Sequence, residues 1–165
     1  SEVIVSPLLL QRNTILELEY NLMLFRLGGK RSSSKIQNNY IKNIDDNNDK
    51  LKSFDKMIQM AVKMKESLLK GNVKRFADLL HESWVIKKRM NNGVTNEFVE
   101  DCYNTAKELG ALGGKLLGAG ESGYLLIYAS PLYQKQIKGT LAKKGAIQEM
   151  FKFNQNGLEV WSTKR

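Results

Sequence analysis

A short glycine-rich segment carries the clearest chemical signal in the chain. Residues 118–123 read GAGESG and match the pattern G-x-G-x-x-G. Glycines at this density let backbone N–H groups approach a phosphate without interference from Cβ atoms, so the segment predicts contact with a phosphorylated ligand. A tight hairpin that binds no ligand needs the same glycines, and the spacing alone does not separate the two interpretations.

The sequence around the motif excludes three familiar glycine loops. A dinucleotide fingerprint needs a helix directly after the glycines, whereas the apolar run at 124–129 predicts a strand. The chain contains no G-x-x-x-x-G-K-[ST] string of a Walker A loop and neither the H-R-D nor the D-F-G of a protein kinase. The motif is therefore predicted to connect two strands of a sheet.

Side chains suited to nucleophilic, acid–base or metal chemistry are scarce. The chain has one histidine, His81, and one cysteine, Cys102. A zinc site of four nitrogen or sulfur ligands and an internal disulfide are excluded, no metal ligands are predicted, and a hydrolase would have to rely on His81 alone. Both residues fall near apolar helix stripes, which favours a packed or surface histidine and a small buried thiol.

The net charge of +9 raises the question of an anionic partner. Residues 30–92 carry +8, but lysines outnumber arginines 20 to 6 and are interleaved with Asp and Asn on predicted helices. This pattern is more typical of solvated helix faces than of a surface that reads nucleic-acid bases. Lys87, Lys88 and Arg89 are expected to complement a helix dipole without a ligand. Nucleic-acid binding is disfavoured.

The length and hydropathy of the chain predict one ordinary domain. Its 165 residues fit a single unit over 1–165. No apolar run approaches the ~18 residues that a membrane span needs, and no secretory signal opens the sequence. With a single cysteine, the sequence predicts a cytoplasmic protein that has no membrane partner.

Two short strands and a set of helices are predicted for the first two thirds of the chain. Apolar runs at 3–5 and 22–25 predict the strands, and a helix is predicted between them at 13–20. Four further helices are expected: one capped by the serines at 32–34, one over 54–68 that Gly71 ends, one capped by Asn72, and one capped by Thr95 that Gly110 ends.

Strands return in the last third of the chain. The run at 124–129 predicts a strand covered on both faces, and Ser130-Pro131 predicts the start of a helix that continues to Gly145. Residues 147–153 and 158–161, joined by an Asn-Gly turn, predict a hairpin. Strands kept together beside a layer of helices predict an α+β fold with a mostly antiparallel sheet.

Residues 113–128, GGKLLGAGESGYLLIY, resemble the third motif of the galactokinase, homoserine kinase, mevalonate kinase and phosphomevalonate kinase (GHMP) superfamily, K-x-x-G-A-G-x-G-G before an apolar strand. Within that superfamily the chain is similar to D-glycero-D-manno-heptose 7-phosphate kinases. Residues 22–34, 79–84 and 106–128 carry this closer likeness. The resemblance implies a ferredoxin-like C-terminal domain with added helices, whose partner is an N-terminal domain, in the same or a separate chain, that holds the ATP phosphate loop.

The resemblance also implies a set of residues at the cleft between the two domains. Around the motif these are Gly118, Ala119, Gly120, Glu121, Ser122, Gly123 and Lys115. Lys115 either faces the cleft or is solvated on the sheet. Across the cleft, Arg31, Ser32 and Ser33 either bind a phosphate or simply begin a helix. Relatives usually have Gly where this chain has Glu121 and Ser122, and a carboxylate repels phosphates unless Mg²⁺ or a hydroxyl intervenes.

These observations give three hypotheses. The chain is the C-terminal half of an ATP- and Mg²⁺-dependent kinase that phosphorylates a sugar or a sugar phosphate, inactive by itself and without catalytic residues of its own. Alternatively, it is a stand-alone ferredoxin-like module that binds a phosphorylated metabolite or another protein, or a basic RNA-binding domain. The oligomeric state stays open.

Overall fold

The computed structural model describes residues 5–28, 48–90, 93–118, 123–154 and 160–162. The described elements follow one another along the chain in this order: α1 (Arg12–Asn21), β1 (Leu22–Leu27), α2 (Asn48–Leu69), α3 (Val73–Met90), α4 (Glu97–Glu108), β2 (Gly113–Leu116), β3 (Gly123–Tyr128), α5 (Pro131–Lys143) and β4 (Ile147–Glu149). The α+β prediction is confirmed. No helix in these ranges is long and apolar enough to cross a bilayer.

The four described strands form one antiparallel sheet in the order β2-β3-β1-β4. β1 lies at the centre, where Phe25 pairs with Leu125 of β3 and with Gln148 of β4. β3 also pairs with β2, so that Leu125 has Leu116 as its other neighbour. The two strands that flank the glycine motif are therefore adjacent, as predicted.

Side chains alternate across the sheet and divide the core in two. Met23, Phe25, Leu125 and Ile127 lie on one face in the larger cluster, which the helices α4 and α5 cover. Leu22, Leu126 and Tyr128 lie on the other face, against residues from α1, α2 and α3. The prediction of a doubly covered strand holds at these positions of β3, although Tyr124 at its start is exposed.

Glycines end three helices in the same way. Gly71, Gly110 and Gly145 have φ angles of +69°, +100° and +96°, in the left-handed region that glycine adopts without a Cβ penalty. After α2, the N–H of Gly71 donates to the carbonyl of Leu68 and the N–H of Asn72 donates to the carbonyl of Ser67, which is a Schellman motif. The predicted helix ends at glycine are confirmed.

The N-caps are partly as predicted. Asn72 caps α3, where its Oδ1 accepts from the N–H of Arg75 at 3.0 Å. The prediction of Thr95 as the cap of α4 is wrong, since Asn96 Oδ1 accepts from the N–H of Val99 at 2.9 Å. Thr95 Oγ1 instead donates to the carboxylate of Glu100. A neighbouring Asn competes successfully because it caps at least as well as Thr.

At the described positions near the two ends of the chain, most of the residues predicted to form strands lie outside strands. β4 stops at Glu149, and residues 150–154 and 160–162 lie outside strands, so the C-terminal hairpin prediction is wrong for these residues. The turn at 155–159 lies outside the described residues, as do residues 3 and 4 of the first predicted strand, while Val5 is exposed coil. The helix expected after the serines at 32–34 also falls outside them.

Candidate functional site

The described part of the glycine motif consists of the two arms of a hairpin. β2 leads into it and β3 leads out of it, and the N–H of Leu117 donates to the carbonyl of Tyr124 at 2.8 Å beyond the end of β2. Gly118 and Gly123 have φ angles of +81° and +125°, which L-residues with a side chain rarely adopt. The glycines thus stand where the backbone leaves one arm and enters the other.

The helix α3 runs beside β2 in unusually close contact. A Cβ atom added to Gly113 would overlap the backbone carbonyl of Ala77 and come within 3.3 Å of the backbone nitrogen of His81. Only glycine at this strand position lets the helix backbone lie so near the sheet. The hairpin is therefore supported from one side by the helix.

Lys87, near the C-terminal end of α3, contacts the glycine motif directly. Its Nζ donates to the carbonyl of Gly118 at 2.8 Å. From Ala77 to Lys87 the helix rises about 15 Å, and from Gly113 to Gly118 an extended chain advances about 16 Å. The helix and the strand run in the same direction and advance by similar distances. Because Ala77 lies against Gly113 at the start of β2, Lys87 therefore lies near Gly118 just beyond the end of β2. Lys87 lies in the last turn of α3, as the prediction that it complements the helix dipole requires, and it also makes this contact, which the sequence did not predict.

Lys115 is the second lysine at the base of the hairpin. It lies on the same face of the sheet as Gly113, because side chains alternate along β2. It is half-buried, and among the residues that the structure describes its Nζ has no hydrogen-bond or ion-pair partner. Burial lowers its pKa. An ammonium in this situation is a strong potential ligand for an anion.

The two lysines act on each other electrostatically. The pKa of Lys87 is lowered first by burial and then by the positive charge of Lys115. Two half-buried ammonium groups that repel each other beside a glycine hairpin create a locally positive environment. Such an environment suits a phosphoryl group, whose negative charge would relieve the repulsion.

The other predicted site residues lie outside the described residues. They are Ala119, Gly120, Glu121 and Ser122 at the tip of the motif, and Arg31, Ser32 and Ser33 on the other proposed wall. Of the predicted set, the structure brings together Lys115 and Gly118 with Gly123 on the facing arm. Within the described ranges, no group of three or more His, Cys, Asp or Glu side chains is arranged to hold a metal ion.

His81 and Cys102 are packed against neighbouring side chains, as predicted. His81 Nδ1 lies 2.6 Å from the hydroxyl of Tyr103, and its pKa is lowered by burial and by the charges of Lys107 and Lys88. Cys102 is fully buried, and burial raises the pKa of its thiol. The thiol of Cys102 therefore resists ionisation and is expected to be unreactive, while the ring of His81 is held against Tyr103.

An apolar groove of about 320 Å³ lies on the opposite side of the sheet from the larger core cluster. Leu8 and Leu10 line it together with residues of α1, α2 and α3, and with Leu126 and Phe153. A lining without charged side chains offers nothing to neutralise a phosphate. The groove is therefore not the place for a phosphorylated substrate, and the lysine pair is the better candidate site.

The chain is similar to known proteins over the elements that form the hairpin and the helices beside it. The family model described as GHMP kinases C terminal matches residues 64–147, which include α3, α4, both arms of the hairpin and α5. The chain is 29% identical over 159 residues, 96% of its own length, to D-glycero-alpha-D-manno-heptose 7-phosphate kinase of Campylobacter jejuni. It is 27% identical over 126 residues, 76% of its own length, to the bifunctional fucokinase/GDP-fucose pyrophosphorylase of Arabidopsis thaliana. It spans 47% and 12% of the length of these two relatives.

Solved structures show the same fold. A Campylobacter jejuni protein assigned as a sugar kinase is 28% identical and superposes with a TM-score of 0.65, over 97% of this chain and 44% of that one. Mevalonate kinase of L. major, crystallised with R-mevalonate, is 24% identical with a TM-score of 0.68, over 74% of this chain and 38% of that one. With the family model matching about half of its residues, the chain belongs to the GHMP kinase C-terminal family.

Proposed function

We propose that the chain supplies the C-terminal half of an ATP-dependent sugar or sugar-phosphate kinase, and that residues 1–165 fold as one domain of it. The observation that carries this proposal is the glycine hairpin with two lysines at its base, in a chain of the GHMP kinase C-terminal family. Phosphoryl transfer is catalysed mainly by positioning and by charge stabilisation, and this arrangement is suited to both.

The acceptor proposed here is a hydroxyl group of a heptose phosphate. The support is the likeness to the Campylobacter jejuni heptose 7-phosphate kinase, which extends over 96% of the chain. A phosphorylated sugar also matches the local charge, since it brings an anion to a site where two ammonium groups repel each other.

ATP would supply the transferred γ-phosphoryl group. The described donors fit its phosphates, because Lys115 offers an ammonium without a hydrogen-bond partner in the described part of the chain. They do not fit Mg²⁺ by themselves, because that part presents no carboxylate cluster. Mg²⁺ would therefore take its ligands from the phosphates and from residues elsewhere.

The remaining predicted contacts belong to the same proposal. We expect the backbone of Gly118, Ala119, Gly120, Glu121, Ser122 and Gly123 to meet the phosphates or the sugar, with Arg31, Ser32 and Ser33 on the facing wall. The carboxylate of Glu121 is expected to accept a hydrogen bond from a sugar hydroxyl, because beside a bare phosphate it would be repelled.

The residues described here are expected to be insufficient for turnover without a partner domain. The chain spans 47% of the length of its Campylobacter jejuni relative, and the family resemblance implies that the ATP phosphate loop lies in an N-terminal domain. We propose that an N-terminal domain, on the same or a separate chain, completes the cleft.

The test compares residues 1–165 alone with the complete product of the natural gene. ATP-dependent phosphorylation of heptose phosphates is followed by ADP release, and binding of Mg·ATP and of each sugar phosphate is followed by calorimetry. We expect turnover by the complete product and neither turnover nor strong binding by residues 1–165.

Two results would contradict the proposal. Tight, saturable binding of a phosphorylated metabolite by residues 1–165 alone, without turnover in either sample, would indicate a stand-alone binding module. Affinity for RNA that falls steeply with salt would indicate a nucleic-acid partner instead.

A further inference from the structure

The contact between Lys87 and Gly118 joins the glycine motif to a residue that lies 31 positions earlier in the sequence. Lys87 Nζ donates to the Gly118 carbonyl at 2.8 Å, within the range of a charge-assisted hydrogen bond. Gly118 is the first residue of the motif and has a φ angle of +81°. The lysine therefore holds the backbone at the point where the chain turns out of the β2 arm.

The side chain of Lys87 is itself anchored on a rigid support. It extends from α3, an 18-residue helix whose backbone lies against Gly113 at Ala77. A helix packed this closely against the strand cannot slide without overlapping it. The position of the Gly118 carbonyl is thus tied through Lys87 to the core of the domain.

Keeping the ammonium group of Lys87 charged at this position costs free energy, and the hydrogen bond to Gly118 by itself does not require a second lysine nearby. Burial and the charge of Lys115 both disfavour its protonated form. A bound phosphoryl group would remove the repulsion between the two ammonium groups, whereas a domain without an anionic ligand would retain it.

From this geometry we propose that Lys87 is a positioning residue for phosphate binding, which fixes the Gly118 carbonyl where the backbone leaves the β2 arm, beside the ammonium group of Lys115. The inference rests on the proposed kinase function and adds to it a residue outside the motif. The shared ligand chemistry is a phosphate monoester or anhydride, and either ATP or the sugar phosphate is its source.

Three variants of the complete gene product test the role. Lys87→Met removes the charged donor and keeps most of the side-chain volume, Lys87→Arg keeps a charged donor, and Arg89→Met removes a positive charge from an exposed position two residues further along the same helix. We expect Lys87→Met to lower kcat/KM by roughly 10- to 100-fold, Lys87→Arg to recover most of that loss, and Arg89→Met to match wild type.

The kinetic constants distinguish the two sources of phosphate. A rise in KM for ATP with an unchanged KM for the sugar phosphate assigns the hairpin to the nucleotide, and the opposite result assigns it to the acceptor. Equal kcat and KM values for Lys87→Met and Arg89→Met would overturn the proposal.

Amide hydrogen exchange gives a readout that does not depend on activity. We expect Lys87→Met to speed exchange in residues 113–124 and leave α4 unchanged, because the lost contact holds only the hairpin. If exchange speeds up while kinetics and ligand binding stay at wild-type values, the contact is structural only and the proposal fails.

If the proposed kinase function is wrong, the wild-type protein will phosphorylate no sugar, and this result is distinct from a failure of the proposal for Lys87. Inorganic pyrophosphate then serves as the probe. Weaker pyrophosphate binding by Lys87→Met than by Arg89→Met would uphold the positioning role in a phosphate-binding hairpin, and equal binding would overturn it.

Discussion

The backbone carbonyl of Ala77 on α3 occupies the space into which a side chain at Gly113 of β2 would project. This relationship sets the register between the helix and the strand, and with it the distance over which Lys87 reaches Gly118. A single glycine without any ligand contact thereby determines the geometry at the far end of its strand.

We expect Gly113→Ala to destabilise the domain by about 3 kcal/mol or more, because neither of the two overlapping backbone segments can move without disturbing the sheet. Gly139→Ala is the matched control. Gly139 lies in α5 with open space where a Cβ would stand, so this change should stabilise the domain by about 0.5–1 kcal/mol. Urea denaturation of both variants measures the difference, and equal stabilities would contradict the close packing of α3 on β2.

Lys115→Met should make the domain more stable at neutral pH, by about 1 kcal/mol. Burial lowers the pKa of Lys115 in the folded protein, so below its unfolded value of 10.5 the unfolded chain binds more protons. The contribution of Lys115 to the free energy of unfolding therefore rises with pH between the lowered pKa and 10.5. The advantage of the variant over wild type should shrink as the pH rises through that window.

The measurement is the free energy of unfolding at pH 7 and at pH 9.5, together with phosphoryl transfer. The same variant should lose activity, because the residue that costs stability is the one proposed to face the phosphates. Lower stability at pH 7 than wild type would show that the ammonium of Lys115 is stabilised in the folded domain, against this prediction.

The His81–Tyr103 pair should make stability fall in mild acid. The pKa of His81 is lowered, by burial first and then by Lys107 and Lys88, whose repulsion outweighs the opposite effects of Glu82 and Asp78. As the pH falls below 6.5, His81 is therefore protonated in the unfolded chain before it is protonated in the folded protein. The contribution of the neutral His81 to the free energy of unfolding is lost as the pH falls from 6.5 to the lowered pKa.

His81→Gln removes this titration and keeps an acceptor for the Tyr103 hydroxyl. Wild type should lose more stability than the variant between pH 7.5 and pH 5. Tyr103→Phe should cost about 0.5–1.5 kcal/mol at pH 7.5, where the hydrogen bond is intact. A wild-type loss no larger than that of His81→Gln would count against a depressed pKa.

Cys102 should not react with thiol reagents in the folded protein. Its side chain is fully buried and the pKa of the thiol is raised, so the nucleophilic thiolate is nearly absent at pH 8. We expect labelling by Ellman's reagent only after unfolding in guanidinium. Rapid labelling of the native protein would mean that α4 opens locally far more often than its packing suggests.

Sequence patterns predicted the elements whose periodicity reflects burial. The amphipathic stripe of α2, the apolar run of β1 and the glycine ends of α2, α4 and α5 were all predicted correctly, because each depends on residues close together in the chain. The hairpin predicted from residues 147–153 and 158–161 was wrong for the described residues 150–153, 160 and 161. Residues 147–153 contain enough apolar side chains for a longer strand, but pairing with β1 covers only three of them.

The contact of Lys87 with Gly118 was missed for a different reason. Three consecutive basic residues at a helix end are explained by the helix dipole, and nothing nearby in the sequence distinguishes Lys87 from Lys88. They diverge only in the folded protein, where Lys87 meets the hairpin and Lys88 pairs with Glu100. The distinguishing information is the register of α3 on β2, which is a long-range property of packing.

The strand order also dictates the order in which the domain is assembled. β1 is synthesised before its partner β3, which follows roughly 100 residues later. A ribosome adds about 5–20 residues per second, so the apolar side chains of β1 stay unpaired with β3 for roughly 5–20 seconds. The β2–β3 hairpin, whose contacts are local, should form as soon as it emerges. We therefore expect the first strand to enter the sheet late, and a nascent chain paused before residue 123 to depend on chaperones.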